Sequence, residues 1–325
     1  MRRVLVGHMD SVVGRRLVKA LYHDPDVAFV FGVGTGPTPS FLDVYREKCF
    51  YQRLDLAKAR HLMSFFHSER FARARLDSVI LLPFGHDTAR ERIPGNVPSL
   101  VSETRRLLEA SQRDAGIQRF VYLSSAFVYS PEPGSASIMS EEQELSFDAD
   151  GNPEVRAWID ADLLCQSQLK DPALQMTILR AASIVTEAGE FLNCPPLENG
   201  VRPIGYNPML SVVSDRDVAR ALVLALHADR PGIYNVAGRE VFPCSELRTD
   251  STRLGPFPVP DLLSGAFTFL NQTLGRARNR PHAYQRYGVV LDTSRAQEVL
   301  GFEPQYRVEV RGRGPDRRLD TVRCR

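Results

Sequence analysis

Residues 4 to 21 restrict this chain more than any other segment. Val4-Leu5-Val6 is a short apolar run, and residues 12–21 (VVGRRLVKAL) carry apolar side chains at helical spacing. They read as a buried strand and the helix that follows it. Between them lies Gly7-His8-Met9-Asp10-Ser11. A strand, a tight turn and a helix start together make an anion site, because the first helical N–H groups lack an intrahelical acceptor and sit at the positive end of the helix dipole. Such a turn is normally rich in glycine, which allows positive φ and lets the backbone approach phosphate oxygens closely. Here the architecture is kept while most of the glycines are gone.

Apolar runs alternate with helical patterns through the first half. Strands are expected at 4–6, 27–33, 78–82, 120–123 and 176–179, and helices near 14–22, 57–66, 97–115 and 154–169. Strands alternating with helices imply right-handed crossovers and a parallel sheet covered on both faces. Beyond residue 180 the rhythm breaks. Pro195, Pro196, Pro203 and Pro208 cluster with Gly200 and Gly205, and a second irregular stretch over 238–287 holds a helical candidate at 261–274. Between them, 215–226 reads as a helix and 232–236 as a strand, which returns the chain to the main sheet. The expected fold is α/β, a Rossmann-type doubly wound parallel sheet (1–184 and 211–238) with a smaller discontinuous C-terminal substrate lobe (185–210 and 239–310). Six arginines and little apolar material in 311–325 predict a disordered tail.

Hydrophobic content of 43% and charge of 25% are those of a soluble globular protein, and a net charge of +2 singles out neither nucleic acid nor a membrane surface. Cys49, Cys165, Cys194, Cys244 and Cys324 show no C-x-x-C spacing, so no metal site and no disulfide framework are expected. A strand starting at residue 4 leaves no room for a signal peptide, and no apolar run approaches the about 20 residues that cross a bilayer. The expected location is cytoplasmic, with no membrane span.

Short motifs then follow in a fixed order: Asp55-Leu56, Asp77-Ser78-Val79-Ile80-Leu81-Leu82, Arg119-Phe120-Val121-Tyr122-Leu123-Ser124-Ser125-Ala126-Phe127-Val128-Tyr129, Leu179-Arg180, Asp215-Arg216-Asp217-Val218-Ala219, Tyr234-Asn235-Val236-Ala237-Gly238 and Leu300-Gly301-Phe302-Glu303-Pro304. With Val4-Leu5-Val6 and Gly14, they resemble the extended short-chain dehydrogenases/reductases over roughly residues 3 to 306. This is the group of NAD-dependent epimerases and dehydratases. The resemblance implies a nicotinamide dinucleotide, NAD or NADP with NAD preferred. Gly7, His8, Ser11, Val12, Val13 and Gly14 would hold it on the turn, with Asp55 and Leu56 near the adenine and Leu82 and Pro83 after the fourth strand. It further implies a small-molecule substrate, no nucleic-acid partner, and a homodimer paired through helices.

The departures from the family pattern bear on the chemistry. The first two fingerprint glycines correspond to His8 and Ser11. The acidic residue that ends the second strand and holds the adenosine ribose is replaced within Gly32-Val33-Gly34-Thr35-Gly36, and no arginine takes its place. The N-V-x-G-T stretch of the following helix reads Leu100-Val101-Ser102-Glu103-Thr104. The catalytic Y-x-x-x-K falls on Trp158-Ile159-Asp160-Ala161-Asp162. Spacing of i and i+4 puts both groups on one helix face, where a lysine lowers the tyrosine's pKa. Trp158 cannot ionise, and Asp162 inverts the charge. As structural residues, Trp158 would pack on the sheet and Asp162 would sit in solvent. Ser125 keeps the place where the family uses Ser or Thr to hold the substrate oxygen; its structural alternative is to satisfy local backbone groups. His86 and Asp87 form a further candidate pair, and Arg15 and Arg16 stand where they would meet either a phosphate or solvent.

Hydride transfer mainly needs the nicotinamide and substrate held face to face, since the cofactor supplies the reactivity. Epimerases and dehydratases also shuttle protons through the tyrosine. The expected function is therefore an NAD(P)H-dependent reductase or dehydrogenase acting on a small, non-sugar metabolite. The alternatives are a catalytically silent nucleotide-binding sensor or scaffold, and a nucleotide-sugar epimerase or dehydratase with a displaced acid/base residue.

Overall fold

The computed structural model describes residues 1–82, 97–113, 116–131, 136–146, 153–194, 201–203, 205–247, 257–259, 284–312 and 318–324. Its centre is a seven-stranded sheet of β1 (Arg2–Gly7), β2 (Val27–Gly34), β3 (Cys49–Arg53), β4 (Ser78–Leu81), β5 (Arg119–Ser125), β6 (Gln175–Ala181) and β10 (Gly232–Val236). The spatial order is β10-β6-β5-β4-β1-β2-β3, and every neighbouring pair is parallel. Helices α1 (Val12–His23), α2 (Ala59–Phe66), α3 (Glu69–Ala74), α4 (Val97–Arg113), α5 (Pro153–Gln166) and α6 (Asp215–His227) supply the connections. This is the doubly wound α/β fold expected. All of β4 and all but the first residue of β5 and β6 are buried, which is why these strands are continuous apolar runs. At the sheet edge, β3 alternates buried and exposed residues, so its sequence carries no such run.

The strand order reverses between β1 and β4, and such a reversal opens a crevice at the carboxyl ends of the strands. Gly7 and Leu81, the last residues of β1 and β4, stand in register there.

The proline- and glycine-rich excursions return as small sheets. β7 (Ser183–Val185), β9 (Met209–Ser214) and β11 (Val241–Pro243) form one, and β8 (Val201–Pro203) pairs with β12 (Phe257–Val259). The helical candidate at 261–274 lies outside the described residues. Two of the sequence landmarks are tied together directly. The buried Asp217 carboxylate, in the first turn of α6, accepts hydrogen bonds from Gln305 N at 2.8 Å and Tyr306 N at 2.9 Å. That bond pair fixes the segment after Pro304 to the start of α6.

The disordered tail requires correction. β13 (Tyr306–Arg311) pairs antiparallel with β14 (Arg318–Arg323). Val308 and Leu319 are buried in the main core, and two carboxylates of the hairpin pair with its arginines: Arg307 lies 2.6 Å from Glu309, and Arg311 lies 3.1 Å from Glu309 and 3.3 Å from Asp320. Counting arginines alone missed this alternation. No helix among the described residues is long and apolar enough to cross a membrane.

Candidate functional site

The turn between β1 and α1 keeps its shape without its glycines. Ser11 caps the helix, accepting a hydrogen bond from Gly14 N at 2.9 Å. His8 takes φ 56°, the left-handed conformation that a glycine adopts without steric penalty. Its side chain is buried, and Nε2 lies 2.9 Å from Oε2 of the equally buried Glu103 on α4. Glu103 lies in the stretch that the sequence motifs align with N-V-x-G-T, so two positions read there as departures from glycine meet in one contact. Burial pulls the His8 pKa down, but the hydrogen bond and charge of Glu103, with the charges of Asp10 and Asp55, outweigh it and leave the value raised above 6.5.

A folded-state pKa above the unfolded value contributes stability that is complete below the unfolded pKa and is lost as pH rises through the folded one. The melting temperature is therefore expected to fall as pH climbs above 6.5, and Glu103→Gln is expected to flatten that segment of the profile. A variant that keeps the wild-type slope would show that the pair is not what titrates.

Gly14 is held by close approach. A Cβ there would lie 2.4 Å from Met9 O and 2.9 Å from His8 O, so α1 rests directly on the carbonyls of the turn. Val12 and Val13 carry the first helical amides. The arrangement can hold an anion. Leu56 is buried beside Gly7, while Asp55 accepts from Ala57 N at 3.0 Å and lies 3.4 Å from Lys58 Nζ. Leu82 is buried, with its N–H 3.4 Å from Gly7 O. Pro83, His86 and Asp87 lie outside the described residues. Arg16 pairs with two carboxylates: its Nε donates to the buried Asp215 at 3.0 Å and a second nitrogen pairs with Glu187. Arg15 lies over the Phe41 ring.

The segment that the sequence motifs align with a Tyr/Lys pair is core in this structure. Trp158 and Asp162 lie one turn apart on α5, and both are buried. The placement of Asp162 in solvent is thus corrected, and the reason is a cation on the adjoining strand. Arg180 of β6 clamps both carboxylate oxygens, Nε at 3.1 Å and Nη2 at 2.8 Å. Such bidentate geometry is what lets a carboxylate survive burial. Gln166 donates to it at 2.7 Å, and Ser124 donates its hydroxyl. The guanidinium also lies 4.8 Å from the Tyr129 ring centre. Burial pushes the Tyr129 phenol up to about 12, and its hydroxyl donates to Asn235 Oδ1 at 2.6 Å.

Ser125 is fully buried and accepts hydrogen bonds from Phe127 N at 3.2 Å and Asn193 Nδ2 at 3.4 Å. Its neighbour Ser124, and not Ser125, reaches Asp162. The structure therefore places Asp162 in a Ser124–Asp162–Arg180 cluster, Ser125 in a contact with Asn193, and Trp158 in the hydrophobic core. Asp10, Glu103 and Arg180 were not singled out from the sequence. Glu103 sat in a motif whose departure was noted, and Arg180 in a landmark dipeptide.

No family model matches the chain. An uncharacterised protein of Mycobacterium tuberculosis and its counterpart in Mycobacterium bovis are each 26% identical to it over 231 residues, a match covering 68% of this chain and 61% of the relative. The match thus spans less than two thirds of the relatives' own length. Among solved structures, a dTDP-glucose 4,6-dehydratase of Streptomyces venezuelae with NAD bound superposes with a TM-score of 0.64 at 19% identity, covering 94% of this chain and 92% of that one. A UDP-glucose 4-epimerase of Bifidobacterium longum in complex with NAD+ and UDP gives a TM-score of 0.64 at 16% identity, covering 93% of each chain. The sheet order, the crevice and these superpositions agree: the chain has the fold of the extended short-chain dehydrogenases/reductases of the epimerase and dehydratase type.

Proposed function

We propose that this chain is a nicotinamide-dinucleotide-dependent reductase or dehydrogenase that moves a hydride to or from a small, non-sugar metabolite without a Tyr/Lys pair. The observation that supports it is the β1–α1 turn, where a serine-capped helix start is packed on Gly14 too closely for any side chain. Its amides and dipole suit a pyrophosphate. A bound nicotinamide dinucleotide supplies the hydride chemistry, and the chain's part is to hold and orient it. Gly7, His8, Ser11, Val12, Val13 and Gly14 would form the phosphate seat and Asp55 and Leu56 the adenine side; Leu82, and Pro83 next to it in the sequence, complete the proposed cofactor-binding set. Ser125 accepts two hydrogen bonds, so its own O–H is left to hydrogen-bond a substrate oxygen brought in by the lobe formed from 185–210 and 239–310, while water supplies the proton that accompanies hydride transfer. The assembly proposed is a homodimer paired through helices.

A second reading, a catalytically silent nucleotide binder, is favoured by one observation: Arg180 neutralises Asp162 at the position of the family's proton relay. Titration calorimetry with NADH and NADPH, followed by absorbance at 340 nm across a panel of small aldehydes and ketones, separates the two. Binding with cofactor oxidation by at least one carbonyl compound is expected. Heat with neither dinucleotide would sink the reductase, and binding without turnover across the panel would leave the silent reading. Exchange of configuration at C4 or C5 of a sugar nucleotide would instead support the epimerase or dehydratase alternative.

A further inference from the structure

Three glycines stand at alternate positions at the end of β2 and just beyond it, Gly32, Gly34 and Gly36, where alternation puts residues on one face of a strand. Each is bare because a side chain from the β1–α1 turn fills its space. A Cβ on Gly32 would lie 2.0 Å from Met9 Sδ, one on Gly34 would lie 2.1 Å from Asp10 Oδ1, and one on Gly36 would lie 2.9 Å from Asp10 Oδ2. The Asp10 carboxylate is fixed there. Gly36 N donates to Oδ2 at 2.8 Å, and the Tyr51 hydroxyl stands 3.4 Å from the same oxygen and donates to Gly36 O at 3.0 Å. Asp10 is only half-buried. A charged acceptor is thus held beside the first turn of α1, at the carboxyl ends of β1 and β2.

We infer that Asp10 reads the adenosine ribose, supplying from the turn the carboxylate that the end of β2 lacks. The inference rests on the dinucleotide reading above and deepens it to a choice of cofactor. In this fold an acidic side chain at the end of the second strand accepts a hydrogen bond from the ribose 2′-hydroxyl. A 2′-phosphate in the same place would be repelled by a carboxylate that cannot swing away. The arginine at the end of β3, Arg53, donates Nε to Thr35 O at 2.8 Å and is exposed. It is the cation that would oppose this preference.

Calorimetric titration of the wild type, Asp10→Asn, Asp10→Ala and Arg53→Ala with NADH and with NADPH tests the assignment. The wild type is expected to bind NADH at least roughly tenfold more tightly than NADPH, since like charges brought together at a binding site are strongly disfavoured. Asp10→Asn keeps an acceptor for Gly36 N and is expected to bring the two affinities within about threefold, chiefly by tightening NADPH. Asp10→Ala is expected to weaken NADH and narrow the ratio, and Arg53→Ala to leave the NADH preference in place. Raising ionic strength from about 0.01 M to about 1 M shortens the screening length from about 30 Å to about 3 Å and is expected to shrink the wild-type preference without any mutation. A wild-type ratio near one, a preference for NADPH, a ratio indifferent to salt, or an Asp10→Asn protein that melts like the wild type with an unchanged ratio would overturn the role of Asp10. Equal binding of both cofactors overturns that role alone, whereas heat with neither overturns the dinucleotide reading as well.

Discussion

Arg180→Met is expected to lower the unfolding free energy by about 3–5 kcal/mol, because it leaves a carboxylate in the core with its cation removed. Asp162 would retain only the hydroxyl of Ser124 and the amide of Gln166 as donors, and neither carries charge. Urea denaturation with the slope monitored measures this directly. The double variant Arg180→Met/Asp162→Leu is expected to recover most of the loss, since replacing a whole buried pair by apolar residues of similar volume is often neutral. Arg180→Lys is expected to fall between them: the charge is kept, but the fork that contacts both oxygens is not. A single variant that loses less than about 1 kcal/mol would show that Asp162 finds another partner or accepts a proton, and the closed relay would then be open to chemistry.

Gly14→Val is the second large effect. The new side chain would begin 2.4 Å from a main-chain carbonyl, which cannot swing aside as a flexible side chain does. Helix α1 must then move off the turn, and shifts of about 1 Å at an oriented site can change rates or binding about 100-fold. Loss of measurable dinucleotide binding is expected, together with the about 1–3 kcal/mol that overpacking generally removes. Circular dichroism and a melting curve establish that the variant still folds. Dinucleotide affinity equal to wild type in a folded Gly14→Val protein would move the phosphate seat away from α1.

Much of the fold was legible because parallel strands buried on both faces must be apolar throughout, and Val4-Leu5-Val6, Ser78 to Leu82 and Phe120 to Leu123 have that character. Cys49 to Arg53 was harder to read as an edge strand with one exposed face. The hairpin at the C-terminal end was obscured for a different reason: a count of its arginines ignores Glu309 and Asp320, which face each other across the strands and pair with neighbouring arginines. The candidate site divides similarly. Each departure from the family pattern could be seen, at residues 8, 11, 103, 158 and 162. What no linear reading supplied was the partner of each: Glu103 is 95 positions from His8, and Arg180 reaches Asp162 from a different element. Asp10 was hidden between the residues that drew attention, and its meaning depends on glycines more than 20 positions away that leave room for it.

The contact between His8 and Glu103 also constrains the routes by which this sequence can change. Restoring glycine at position 8 alone would strand a buried carboxylate, and restoring it at 103 alone would leave a buried imidazole that has lost its counter-charge. Each single step descends in stability, while the pair of steps does not, so the two positions are epistatic.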